Sequence, residues 1–223
     1  TNYHGDSGQE ITSLSFSPDG KNIVYVRGAA ANRRGEIPNP ALFPEGAKQE
    51  IWIVPASGGK AMLVGNGRSP VYSPDGKMLA FVRGGQVWIK ETGTDAPARQ
   101  QFTIRGSAGN LCWNPAMGSG QLAFVSSRGD HSFVGVYDFS RENITYMQPG
   151  LDKDNYPAWS PDGKSLAFLR MHHQRNDLMF EAHREGLPFS LWVADIALGT
   201  AQQIWEANKG YGSVFKNITA DNQ

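Results

Sequence analysis

Residues 159–170 read WSPDGKSLAFLR, and two earlier stretches repeat the phrase: FSPDGKNIVYVR at 16–27 and YSPDGKMLAFVR at 72–83. A degenerate fourth copy begins at Cys112–Trp113–Asn114–Pro115 and resumes at Gln121–Leu122–Ala123–Phe124–Val125. The four prolines, Pro18, Pro74, Pro115 and Pro161, are spaced 56, 41 and 46 residues apart. A repeat of about 40 to 50 residues is the length of one four-stranded propeller blade. Each phrase carries its own local logic. An aromatic residue ends one strand. Ser-Pro-Asp-Gly then fits a type I turn, with Ser first, Pro fixing φ at the second position, Asp third and Gly fourth. The apolar run that follows does not alternate cleanly, which predicts a strand buried on both faces.

Two further strands follow each copy. Residues 50–54, 86–90, 134–138 and 191–195 read as third strands, and 61–64, 99–103, 144–147 and 201–205 as fourth strands. The predicted fold class is therefore all-β, a β-propeller of four-stranded antiparallel blades. The blades fall at about 11–64, 69–104, 109–148 and 156–205, and a fifth begins within 211–223. Four blades and the start of another point to part of a larger propeller of about seven or eight blades. Such an open fan leaves apolar faces and strand edges unpaired, and association with a second copy or poor solubility is the expected consequence.

Bulk composition narrows the function classes. Lys plus Arg equals Asp plus Glu at 21 each, so the formal net charge is zero and there is no electrostatic case for nucleic acid. No apolar run reaches the roughly 20 residues of a membrane span. Thr1 opens no secretory leader, which reads as a processed or trimmed chain. Cys112 is the one cysteine, so neither an internal disulfide nor a multi-cysteine zinc site can form. No cofactor is expected.

Two insertions interrupt the blades between second and third strands, at 28–49 (GAAANRRGEIPNPALFPEGAKQ) and 171–190 (MHHQRNDLMFEAHREGLPFS). Loops of this length are commonly functional. The second gathers Arg175, Asp177, Glu181, His183, Arg184 and Glu185 with Phe180 and Phe189, and a short helix is predicted around 177–184. Other motifs have plainer readings. Arg128–Gly129–Asp130 suits a hairpin turn. His172, His173 and His183 lack the spacing of a metal site. Asp152–Lys153–Asp154–Asn155 lacks the glycine and distal glutamate of a calcium loop, and reads as an acidic turn. Asn143 and Asn217 begin glycosylation sequons. Trp52, Trp88 and Trp192 occupy one repeat position, which argues for packing rather than for a ligand-stacking ring.

The segments RSPVYSPDGKMLAFVRGGQVWIKE, FVSSRGDHSFVGVYDFS and NYPAWSPDGKSLAFLR, together with LPFSLWVADIALGTAQQIW, resemble the N-terminal propeller of the prolyl oligopeptidase family of serine peptidases. The likeness is to its dipeptidyl peptidase IV-like and acylaminoacyl-peptidase-like members, and it runs from about residue 11 to 215. In that family the propeller covers an α/β-hydrolase domain that holds the catalytic residues. The resemblance implies peptide substrates and a C-terminal hydrolase domain as partners, and a periplasmic or secreted location over a cytoplasmic one. The chain has no G-x-S-x-G nucleophile elbow, so no catalytic residue is expected within it. Arg175, Glu181, Arg184 and Glu185 are the candidate substrate-binding residues, in the insertion where a dipeptidyl peptidase IV-like propeller presents a glutamate pair; the spacing of Glu181 and Glu185 departs from that pair. TolB-like stand-alone binding propellers use the same SPDG phrase and form the alternative. A sugar-processing propeller would need His, Arg and carboxylates converging at inner blade ends, which the repeats do not supply.

Overall fold

The computed structural model describes residues 11–28, 49–171 and 189–207. The expected fifth-blade strand at 211–215, the short helix at 177–184 and most of both insertions lie outside them. The chain divides between Thr103 and Ile104 into two compact units, and every described element is a strand.

In the first unit, β1 (Ile11–Phe16), β2 (Asn22–Arg27), β3 (Glu50–Pro55) and β4 (Met62–Asn66) form one antiparallel sheet in sequence order. β5 (Arg68–Tyr72), β6 (Met78–Arg83), β7 (Gln86–Glu91) and β8 (Arg99–Gln100) form a second. Val24, Val26 and Ile51 of one sheet pack with Leu79 and Phe81 of the other into a single core. In the second unit, β9 (Ser107–Trp113), β10 (Gln121–Ser127), β11 (Ser132–Asp138) and β12 (Asn143–Tyr146) repeat the pattern, as do β13 (Lys153–Trp159), β14 (Ser165–Met171), β15 (Phe189–Asp195) and β16 (Thr200–Glu206). A parallel pairing of Ser132 with Lys153 joins these two four-stranded sets. Ala123, Val125, Val134 and Val136 meet Leu166, Phe168 and Ala194 in the shared core. The non-alternating runs are buried as their sequence predicts, with Leu79, Ala80, Phe81 and Val82 of β6 all inaccessible.

The SPDG phrase folds as one hydrogen-bonded unit, three times over. The fourth-position glycine N–H donates to the serine carbonyl at 2.8 Å for Gly20–Ser17 and Gly76–Ser73, and at 2.9 Å for Gly163–Ser160. Each serine hydroxyl donates to the aspartate Oδ1 at 2.6 Å. The N–H of Lys21, Lys77 or Lys164 donates to that same oxygen at 3.1 Å. Gly20, Gly76 and Gly163 adopt φ near 70°, where a side chain is strained. In the degenerate copy Asn114 takes the serine's place with a different set of bonds. Its Oδ1 accepts from Ala116 N–H at 3.0 Å, and its Nδ2 donates to Gln121 Oε1 and to the Gly163 carbonyl, both at 2.9 Å. The third and fourth blades are thus stitched together turn to turn.

A second repeated device has no sequence signature. Ser13, Ser69, Asn110 and Tyr156 each lie five residues before a blade's proline, and each has a φ between 46° and 54°. At each of them the pairing of the blade's first and second strands shifts register. These β-bulges bend every first strand at the same place.

Two outcomes follow from the turns. A Cβ on Gly163 would stand 2.0 Å from Asn114 Oδ1. Gly163→Ala is therefore expected to cost about 2 kcal/mol or more in denaturant unfolding. Gly129→Ala, at φ 93° with nothing within 4 Å, is expected to cost about half that or less. Asp19, Asp75 and Asp162 are held below their ordinary value of 3.8, first by the serine hydroxyl and then by the lysine N–H. A carboxyl depressed by folding stabilises the fold above its unfolded value, and that contribution disappears as pH falls through the lower folded value. Thermal stability should thus decline on acidification below 3.8, and Asp75→Asn should flatten part of that decline.

Candidate functional site

The insertion between β14 and β15 springs from a built root. The last register pair before it is Met171 with Phe189. Directly below, Arg170 and Asp154 are register partners on β14 and β13 and are almost fully buried, at 5% and 1% exposure. The guanidinium grips the carboxylate through both oxygens, Nε to Oδ1 at 2.6 Å and Nη2 to Oδ2 at 2.9 Å. Nη2 also donates to the Gln148 carbonyl at 2.7 Å, and the cation lies 4.3 Å from the Trp192 ring centroid. Burial pushes the Asp154 carboxyl upward, opposed by the Arg170 hydrogen bonds and charge. The Ser132 hydroxyl donates to the Asp154 carbonyl at 2.7 Å, which brings the neighbouring blade into the cluster. Trp192 Nε1 donates to the Ser190 hydroxyl at 2.9 Å, and the Phe189 and Trp205 rings pack at 5.6 Å. Arg175, Glu181, Arg184 and Glu185 lie outside the described residues, as do His172, His173 and His183; only the root that carries them is described.

Asp154 corrects one expectation. Residues 153–159 are strand, not the acidic turn that their composition suggests, and the carboxylate is spent on Arg170 rather than facing solvent. Arg128–Gly129–Asp130 does lie in the β10–β11 connection, closed by Arg128 N–H donating to the His131 carbonyl at 2.9 Å. Trp88 and Trp192 pack against the two cores, in keeping with the packing reading of the repeated tryptophans.

At the SPDG end of the first unit, a cleft of about 710 Å³ opens between the two sheets. Met62, Leu63 and Tyr72 give it an apolar wall, and Asp19, Asp75 and Glu91 line it with charge. Burial, and then the nearby Asp19 charge, raise the Tyr72 phenol above its usual value. Lys90 Nζ donates to the carbonyls of Thr94 and Ala96 at 2.5 and 2.7 Å, which fixes the wall between β7 and β8. Among the described residues the cleft lining holds no histidine or cysteine, and its one serine, Ser17, donates to Asp19 Oδ1.

Among the described residues no group of three His, Cys, Asp or Glu side chains could hold a metal ion. His131 is the one described histidine, and its Nδ1 sits 2.6 Å from Asp130 Oδ1 on an exposed turn. Cys112 is a free, partly buried cysteine. Burial pushes its thiol up to about 12, against the smaller opposing influence of hydrogen bonding with Trp159. Iodoacetamide at pH 8 is expected to leave native Cys112 unmodified and to label it fully in denaturant; rapid labelling of the native chain would contradict this burial.

Sequence reasoning missed the arginines. Arg27, Arg83 and Arg170 each lie nine residues after the SPDG proline, at the end of a second strand. The signal was present in the repeated phrase itself, whose last letter is always Arg. Arg83 sits 4.7 Å from the Trp88 ring centroid, the arrangement that Arg170 makes with Trp192.

No protein-family model matches the chain. Among solved structures, it is similar to the putative TolB from Agrobacterium tumefaciens, at 17% identity and a TM-score of 0.52, covering 92% of this chain and 84% of that one. It is also similar to the β-propeller domain of the Trilobed protease from Pyrococcus furiosus, at 16% identity and a TM-score of 0.59, over 87% of this chain and 57% of that one. The acylaminoacyl peptidase of Pyrococcus horikoshii gives 16% identity and a TM-score of 0.59, over 87% of this chain and 32% of that one. At these identities the likeness establishes the fold, an all-β array of propeller blades. Among the described residues no helix is long and apolar enough to cross a membrane.

Proposed function

We propose that the chain is the non-catalytic propeller part of a serine exopeptidase or oligopeptidase, which gates and orients peptides for an α/β-hydrolase domain of the parent protein. The observation that carries this reading is the rooting of the 172–188 insertion on the buried Arg170–Asp154 pair. A blade needs no such insertion for its core, and a buried bidentate pair beneath a loop holds its base in one place. Peptidase propellers among the structural neighbours, and the absence of a nucleophile elbow from the sequence, support the same assignment.

The second reading is a stand-alone binding propeller of the TolB kind. It is favoured by the extent of that match, since this chain spans 84% of the Agrobacterium protein against 32% of the acylaminoacyl peptidase. The two readings separate on the full-length native protein treated with a fluorophosphonate probe. The peptidase reading expects a labelled protein well above 24.4 kDa, while the 223-residue chain alone stays unlabelled and cleaves no peptide. Deleting 172–188 from the full-length enzyme should raise KM for peptides more than it lowers kcat. A native protein that takes no label would leave the TolB-like reading standing. Labelling of the 223-residue chain would overturn both.

A further inference from the structure

The internal repeat places one arginine in three different settings. In the fourth blade, Arg170 stacks on Trp192 and faces Asp154, seven residues before Pro161. In the second blade, Arg83 stacks on Trp88, and the residue seven before Pro74 is Gly67. Arg68 pairs with Val82, so Gly67, one residue earlier, faces Arg83 across the strands just as Asp154 faces Arg170. In the first blade Arg27 faces Ile11.

The second blade therefore keeps the stacked guanidinium and lacks the internal carboxylate. A cleft of about 320 Å³ adjoins this guanidinium, lined by Arg83, Arg68, Gln49 and Asn66, with Gly67 and Gly84 among its backbone. Among the described residues no acidic side chain is in that lining. The gap is enforced. At φ 155°, a Cβ on Gly67 would meet Phe81 Cδ2 at 2.7 Å and the Val82 carbonyl oxygen at 2.9 Å, so no side chain can fill the position from within. Stacking on Trp88 orients the guanidinium plane in advance, which lowers the entropic cost of gripping a planar anion.

We propose that this cleft is a carboxylate-binding site, in which the carboxylate of a peptide C-terminus or acidic side chain takes the place against Arg83 that Asp154 takes against Arg170. Arg83 supplies the bidentate fork. The Gln49 and Asn66 amides offer further donors. The site stands whether or not a hydrolase adjoins the chain.

The test is a titration of the 223-residue chain followed by the arginine Nε–Hε NMR signals. The probes are N-acetyl-Gly-Ala with a free carboxylate, its C-terminal amide, and inorganic phosphate. The site predicts a saturable shift of the Arg83 Nε signal with the free carboxylate and none with the amide. Arg83→Gln should weaken carboxylate binding at least about tenfold, followed on the Gly67 and Gly84 amides. Arg83→Lys should weaken it severalfold, because a point charge replaces a fork. Arg83 is exposed, so both variants should keep the wild-type melting temperature. The proposal fails if the carboxylate produces no saturable shift, if the amide shifts the signal equally, or if Arg83→Gln binds as well as wild type. Tighter binding of phosphate than of the carboxylate would also overturn it, since the pocket would then select a tetrahedral anion.

Discussion

The second unit depends on one buried ion pair. Taking a guanidinium and a carboxylate out of water costs several kcal/mol for each ion, and that cost is met only when the geometry leaves no donor or acceptor idle. Asp154 and Arg170 offset that cost with two direct bonds, a third to the Gln148 carbonyl and the facing Trp192 ring. The partners come from β13, β14, β15 and the segment after β12, and the Ser132 hydroxyl adds β11. The strands that must be in register before the pair can form include those flanking the insertion. Hydrophobic burial of Val134, Leu166 and Phe168 favours many sheet packings of similar area. A buried bidentate pair favours one.

The repeated phrase made the blades legible, because turn chemistry is local. Ser, Pro, Asp and Gly each specify a backbone angle or a local hydrogen bond, and Asn114 closes the degenerate turn with a bond of its own, from Ala116 N–H. What stayed illegible is chemistry set by tertiary partners. The bulges at Ser13, Ser69, Asn110 and Tyr156 are not tied to one residue type, because the constraint is the bend of a first strand rather than any intrinsic preference for positive φ. Tyr156 in that region is a conformation only a surrounding fold imposes. Asp154 reads as part of a solvated acidic run, and nothing near it in sequence names Arg170 as its partner. Of the candidate site, the insertion was visible through its length and charge, and its root was not, since the root is assembled from residues up to 73 positions apart, from Ser132 to Trp205.

Comparison across blades separates what the fold requires from what it permits. The arginine after each apolar run is constant in the three SPDG blades, while its opposite number changes from Ile11 to Gly67 to Asp154. One setting gives a closed internal pair and another gives an open cleft. A repeat fold can thus convert a stabilising contact into a recognition element by changing a single residue, because the strand and the aromatic platform already aim the guanidinium. The third blade departs further. Its arginine, Arg128, sits two positions beyond the equivalent place and stacks on Phe133 and Tyr146 at 4.6 and 5.6 Å. The exposed apolar residues of the outermost described strands, Leu14 and Phe16 on β1 and Ile204 and Trp205 on β16, belong to a fold in which blades normally cover one another.

A double-mutant cycle on Asp154→Asn and Arg170→Met, read by urea unfolding, tests the dependence on the buried pair most directly. The account predicts that each single variant loses about 3 kcal/mol or more while the double variant loses little beyond either alone, a coupling of at least about 2 kcal/mol. Additive losses, with a coupling below about 0.5 kcal/mol, would mean that the two side chains are held independently and that the pair organises nothing.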